Sequence, residues 1–184
     1  MDISADLTEL GRTPVALISS GCKSFLDIPR TLEYLETQGV GVATFLDGRT
    51  GAVDFPAFWT RDSGIPSPSI VQDEKEAAAM IFAQTDLALQ SGLLFANPIP
   101  ELYSLPKSKM DSIMATAIRL AKESQISGSG QTPFILAKIR ELTEGATVTA
   151  NRILVEANVE RGSQVAVELA KLEGKEASSN GSGS

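Results

Sequence analysis

Lys23 sits in the small-residue turn Ser20-Gly21-Cys22-Lys23-Ser24 that follows a short apolar run. Partial desolvation at such a turn lowers a lysine's pKa and frees the amine to attack a sugar or carbonyl carbon. A solvated loop lysine fits the same spacing. The phosphate-loop pattern is absent, because Lys23 does not follow a glycine. Asp2 and Asp6 stand four residues apart, on one face of a helix that reaches them both, and two oxygen ligands at that spacing suit a hard divalent ion that keeps its waters. Acids in an exposed first helical turn give the same pattern, since the macrodipole favours them there. Asn97 lies in Asn97-Pro98-Ile99-Pro100, a stiff turn that presents an amide either to the edge of a heterocyclic base or as a helix cap. Asn151 and Asn158 are seven apart on one face of an otherwise apolar helix, where an asparagine needs either a ligand or a structural partner. Thr132 with Pro133 reads as a helix start, and Phe58 and Trp59 read as core.

The inventory of residue types limits what else can act. The 184 residues contain no histidine and one cysteine, Cys22. A Ser-His-Asp triad, a histidine base, His-ligated metal and clustered-thiolate zinc are therefore excluded within this chain. A lone cysteine forms no disulfide within the chain. The formal charge of −7, with no basic tract, argues against binding a nucleic-acid polymer. The start, MDISADLTEL, lacks the basic and apolar regions of a signal peptide, and no stretch approaches 18 apolar residues.

These groups must be carried by elements, and the periodicity supplies them. Residues 4–10 predict a short helix capped by Ser4 and stopped by Gly11. Residues 14–19 predict a strand buried on both faces, 27–38 a helix capped by Asp27, and 40–45 a second strand. Asp47-Gly48-Arg49-Thr50-Gly51 predicts a hairpin tip returning through residues 52–54. A long loop over 56–69 precedes a helix over 73–90 and a third strand over 93–96. Further helices are expected at 107–124, 133–142 (capped by Thr132 or Gln131) and 148–172. A single α/β domain over 1–176 follows, with 177–184 a disordered small-residue tail. In a parallel sheet ligands sit beyond the carboxyl ends of the strands, which selects residues 20–24, 56–61 and 97–100.

Six segments in order resemble the pseudouridine-5'-phosphate glycosidases: DISADLTEL, SSGCKSFLDIPRTLEYLETQGV, DFPAFWTRDSG, FANPIP, QTPFILAKIRELTEG and NRILVEANVERGSQVAVELA. The resemblance implies reversible cleavage of the C–C glycosidic bond of pseudouridine 5'-phosphate to uracil and ribose 5-phosphate. It makes Lys23 the nucleophile of a Schiff-base intermediate and Asp2 a ligand of Mn²⁺, or of Mg²⁺ in its place. Ser4, Ala5 and Asp6 match a substrate-contacting triplet, and Asn97 with Asn151 or Asn158 (Asn158 preferred) falls in segments of the active site. The implied fold is an α/β/α sandwich with a mostly parallel sheet, here its C-terminal half. The family's glutamate proton donor, a substrate lysine and a histidine have no counterpart in these residues, so the chain is expected to be inactive alone. The resemblance further implies a homo-oligomer, a trimer, with a sugar-kinase partner or fusion as an option. Its implied location is the cytoplasm, with an organelle left open. The competing expectation is a non-catalytic truncated remnant acting as an interaction module.

Overall fold

A computed structural model describes residues 4–23, 26–126 and 130–181, the side chains of 177–181 excepted. Helix α1 (Ala5–Leu10) starts where Ser4 Oγ accepts the Asp6 N–H and stops at Gly11. Strand β1 (Ala16–Ser19) leads through the Lys23 turn to α2 (Ile28–Thr37), capped by the Asp27 carboxylate on the Arg30 N–H. Gly39 then reverses the chain at φ +72°, a conformation that costs glycine little, and β2 (Gly41–Phe45) follows.

Four parallel strands form the sheet in the order β1-β4-β2-β3, with β3 (Ile70–Val71) and β4 (Leu93–Ala96) joined by α3 (Glu74–Asp86). Three helices complete the described chain: α4 (Lys107–Glu123), α5 (Gln131–Leu142) and α6 (Ala146–Gly181). The α/β architecture with a parallel sheet is thus the one the alternation of elements predicts.

Alternate strand residues serve opposite faces. Val42, Leu94 and Ala96 pack with Leu32 and Leu35 of α2 and with Leu10 of α1. Ala43, Phe45, Leu93 and Phe95 pack with Ala77 and Ala78 of α3 and Val165 of α6. Beyond the sheet, Met110, Ala117, Ile135, Ile139 and Leu154 of α4, α5 and α6 enclose Trp59 and Ile99. No helix among the described residues is long and apolar enough to cross a membrane.

Four local expectations are corrected. The hairpin at 47–54 does not form. Residues 53–55 instead pair with 65–67, through the Phe55 N–H on Ile65 O (2.9 Å) and the Ser67 N–H on Val53 O (2.9 Å). That pairing buries Val53 and Phe55, and the places beside β2 are taken by β3 and β4. Strand β1 is not buried on both faces: it lies at the edge of the sheet, leaving Val15 46% and Leu17 41% exposed. Helix α3 ends at Asp86 rather than near Gln90, because the chain enters the left-handed region at Ala88 (φ +52°). Helix α5 begins at Gln131 with Gly130 before it and no side-chain cap, so neither Gln131 nor Thr132 caps it.

Candidate active site

The three segments selected at the strand ends meet. The Asn97 N–H donates to Ser19 O (2.6 Å), tying the end of β4 to the end of β1. The Phe58 N–H donates to Ser20 O (3.1 Å) and the Cys22 N–H to Pro56 O (3.3 Å), so the long loop folds over the Lys23 turn. Gly21 is obligatory in this contact. Its φ is +79°, and a Cβ would stand 1.8 Å from Pro56 O.

Lys23 is half-buried at this junction, and its carbonyl accepts the Leu26 N–H (2.9 Å). Among the described residues no carboxylate forms an ion pair with its ammonium group. The neighbouring Cys22 thiol is pushed up to about 11 by burial, a weak hydrogen bond with Thr31 opposing the shift. A thiol so raised is neutral near pH 7, so Cys22 is a poor nucleophile there.

Ser4, Ala5 and Asp6 open α1. Thr8 Oγ1 bonds Tyr34 Oη (2.9 Å), and Gly11 lies against Gln38, so α1 runs alongside α2 in the same direction. The Gly92 N–H on Leu10 O (2.6 Å) fixes the last turn of α1 at the N-terminal end of β4. The first turn of α1 therefore points toward the opposite end of the sheet, where Lys23 lies. Ser4 Oγ donates to Asp6 Oδ2 (3.0 Å), and all three residues are exposed. Asp2, the expected metal ligand, lies outside the described residues. Among the described residues no group of three or more His, Cys, Asp or Glu side chains gathers to hold a metal, so no chemical step is derived through one.

Asn97 and Asn158 are brought together. Asn97 is buried, and its Nδ2 donates to Asn158 Oδ1 (3.1 Å) and Ala157 O (3.3 Å). Asn158 Nδ2 in turn donates to Ser20 Oγ (2.8 Å), three residues before Lys23. Asn151 plays a structural part, because its Oδ1 accepts the indole N–H of the buried Trp59 (2.8 Å). Trp59 is core, as its type predicts.

The pattern of types does not disclose the charges behind these amides. Arg161 donates through Nε to Asn97 Oδ1 (3.2 Å), through Nη2 to Asp47 Oδ1 (2.8 Å) and through Nη1 to Glu74 Oε1, with its guanidinium 4.8 Å from the Phe45 ring centre. Asp47 Oδ2 also accepts from Arg61 Nη1 (2.9 Å), which reaches on to Ile99 O (2.7 Å). A cleft of about 190 Å³ opens beside this cluster, lined by Asp47, Asn97, Pro98, Pro100, Glu160 and Arg161 among others. Lys23, Ser4 and Asp6 do not line it. One signal is available in the sequence: Asn158 and Arg161 are three apart, on the same face of α6 as Val165.

Known proteins resemble this chain in sequence and in fold. The chain is 48% identical over 172 residues to a pseudouridine-5'-phosphate glycosidase of Arabidopsis thaliana, covering 94% of this chain and 51% of that protein. A namesake from Caldanaerobacter subterraneus subsp. tengcongensis is 49% identical over 171 residues, 93% of this chain and 54% of the relative. The solved prealnumycin C-glycosynthase AlnA, in complex with ribulose 5-phosphate, superposes with a TM-score of 0.82 at 27% identity over 95% of this chain and 56% of that one. The chain spans about half the length of the curated relatives it matches. Residues 1–168 match the model of the indigoidine synthase A like proteins, and with its curated relatives named pseudouridine-5'-phosphate glycosidases the chain belongs to that family.

Proposed function

We propose that this chain is the nucleophile-bearing portion of a pseudouridine-5'-phosphate glycosidase. The observation that carries the reading is the position of Lys23, in a half-buried turn at the carboxyl end of β1 where three loop segments converge. In this reading the Lys23 amine bonds the anomeric carbon as the ribose ring oxygen leaves. The C–C bond then breaks: the nitrogen lone pair forms the C=N bond of an iminium, and the departing uracil carbon takes a proton. Water hydrolyses the iminium, releasing ribose 5-phosphate and the free amine. That proton must come from a general acid, whose help is worth about 10²–10⁴-fold. The donor belongs to the half of the relatives' length that this chain does not span. The exposed apolar edge at Val15 and Leu17 fits a sheet that continues there.

Mn²⁺ held by Asp2 and water belongs to the proposal, as do Ser4, Ala5, Asp6, Asn97 and Asn158 as substrate-side groups. Self-association belongs to it too: Val148, Val155 and Val159 form an exposed apolar stripe along one face of α6. A sugar kinase as partner and a cytoplasmic location follow from the family reading.

The test is borohydride trapping. Incubated with ribose 5-phosphate and reduced, the chain should carry the sugar as a secondary amine on Lys23, located by peptide mass spectrometry, and Lys23→Arg should abolish it. An adduct spread over surface lysines, or none, would defeat the assignment and favour a binding module without catalysis.

A further inference from the structure

Arginine has five N–H donors and no acceptor. Where Arg161 Nε meets the Asn97 side chain, the atom facing it must therefore be Oδ1. That choice settles the next contact: Asn97 turns Nδ2 toward Asn158, so Asn158 must present Oδ1. Asn158 then presents Nδ2 to Ser20, whose Oγ accepts. The donor-only guanidinium and the acceptor-only Ala157 carbonyl, which takes the other Asn97 N–H, impose the same direction on three successive hydrogen bonds. Arg161 is itself immobilised by Asp47, Glu74 and the Phe45 ring, so it does not follow the amides; they follow it.

We propose that Arg161 is a positioning residue that fixes the polarity of the Asn97–Asn158–Ser20 relay. Asn97 spends both N–H donors on Asn158 and Ala157, and toward the cleft it retains acceptor capacity alone. The Ser20 hydroxyl keeps its proton as a donor within the segment that carries Lys23. The inference rests on the reading of this region as the active site, but its test involves no turnover, so failure of either is seen separately.

The chain has four asparagines, which makes ¹⁵N-asparagine labelling readable, and one tryptophan, whose indole proton on Asn151, resolved in the one-dimensional proton spectrum, reports the fold. In Arg161→Gln, whose amide can donate or accept, the Asn97 and Asn158 side-chain amide protons should exchange about tenfold faster, the effect of losing one charge-assisted bond. The Trp59 signal should stay in place. Arg161→Lys, again donor-only, should restore much of the protection. Unchanged exchange in Arg161→Gln would overturn the proposal. If that variant does not fold, Asn97→Asp decides: it still accepts from Arg161 but cannot donate, so Asn158 must turn and give its N–H to the new carboxylate. A downfield, slowly exchanging Asn158 amide is the expected result, and an unmoved one refutes the relay.

Discussion

Replacing Asp47 by Asn isolates what the charge cluster contributes to the fold. The Asp47 backbone sits at φ +48°, a region asparagine tolerates as well as aspartate, whereas Ala would add strain of about 1–2 kcal/mol. The carboxylate accepts from Arg161 with one oxygen (2.8 Å) and from Arg61 with the other (2.9 Å). Asparagine keeps one acceptor and turns an NH₂ group against a guanidinium. One charge-assisted bond, about 1.5–3 kcal/mol, is lost, and two like donors are forced together. The side chains of Arg61, Arg161 and Asp47 are 11%, 21% and 28% exposed, so water relieves part of the cost. The expected loss is about 2–4 kcal/mol, below the full penalty of about 3–5 kcal/mol for breaking a fully buried pair. At this chain length it lowers Tm by roughly 4–16 °C. Urea unfolding followed by Trp59 fluorescence measures the loss. The same substitution in Arg161→Gln should cost less, since one of the two donors is gone. A loss under about 0.5 kcal/mol, or identical losses in both backgrounds, would show that the cluster is solvated and would remove the fixed frame that Arg161 requires.

Four other outcomes are expected. Cys22, with its pKa pushed up to about 11, should alkylate far more slowly at pH 8 in the folded chain than in urea. Because the folded thiol holds its proton longer than the unfolded one, stability should fall as pH rises from about 8.5 toward 11; a flat profile there would contradict the burial. Val155→Glu in the exposed stripe of α6 should shift the chain to a monomer on size exclusion with unfolding unchanged within about 0.5 kcal/mol, and an unaltered elution would place the association elsewhere. Asp2→Ala should abolish Mn²⁺ binding measured by calorimetry, and Mn²⁺ binding indifferent to it would remove Asp2 from the proposed site.

Much of the fold is legible in the sequence because its signals are local. Ser4 and Asp27 each cap the helix that follows them, and Gly11 and Gly39 stop helices where their types predict. What cannot be read depends on partners distant in sequence. Residues 14–19 are as apolar as a central strand, yet strand order puts them at the edge, and order is a property of the whole sheet. Two residues, Ile70 and Val71, are too short a run to announce a strand, and only pairing with Thr44 and Phe45 makes them one. The Asp-Gly signal at 47–48 is real as a turn, since both residues have positive φ. It misleads as a hairpin because both sides of β2 are already taken, by β4 and by β3.

The site divides along the same line. Lys23 and Asn97 follow from strand-end logic, which needs only the order of the elements. Asn158 stands out as a polar residue on an apolar helix, and what distinguishes it from Asn151 is contacts 92 and 138 residues apart: Asn151 meets Trp59, and Asn158 meets Ser20. Arg161 escapes a reading by type because a charged residue on a long helix usually faces water. Here it faces inward, and the reason lies in three acidic or amide groups supplied by β2's turn, the start of α3 and the end of β4. None of those groups is unusual alone. Asp47 follows a strand, Glu74 opens a helix where acids are favoured, and Asn97 precedes a proline. Convergence around one guanidinium turns three ordinary positions into a fixed frame, and a frame of that kind holds an amide's orientation without needing the ligand to do so.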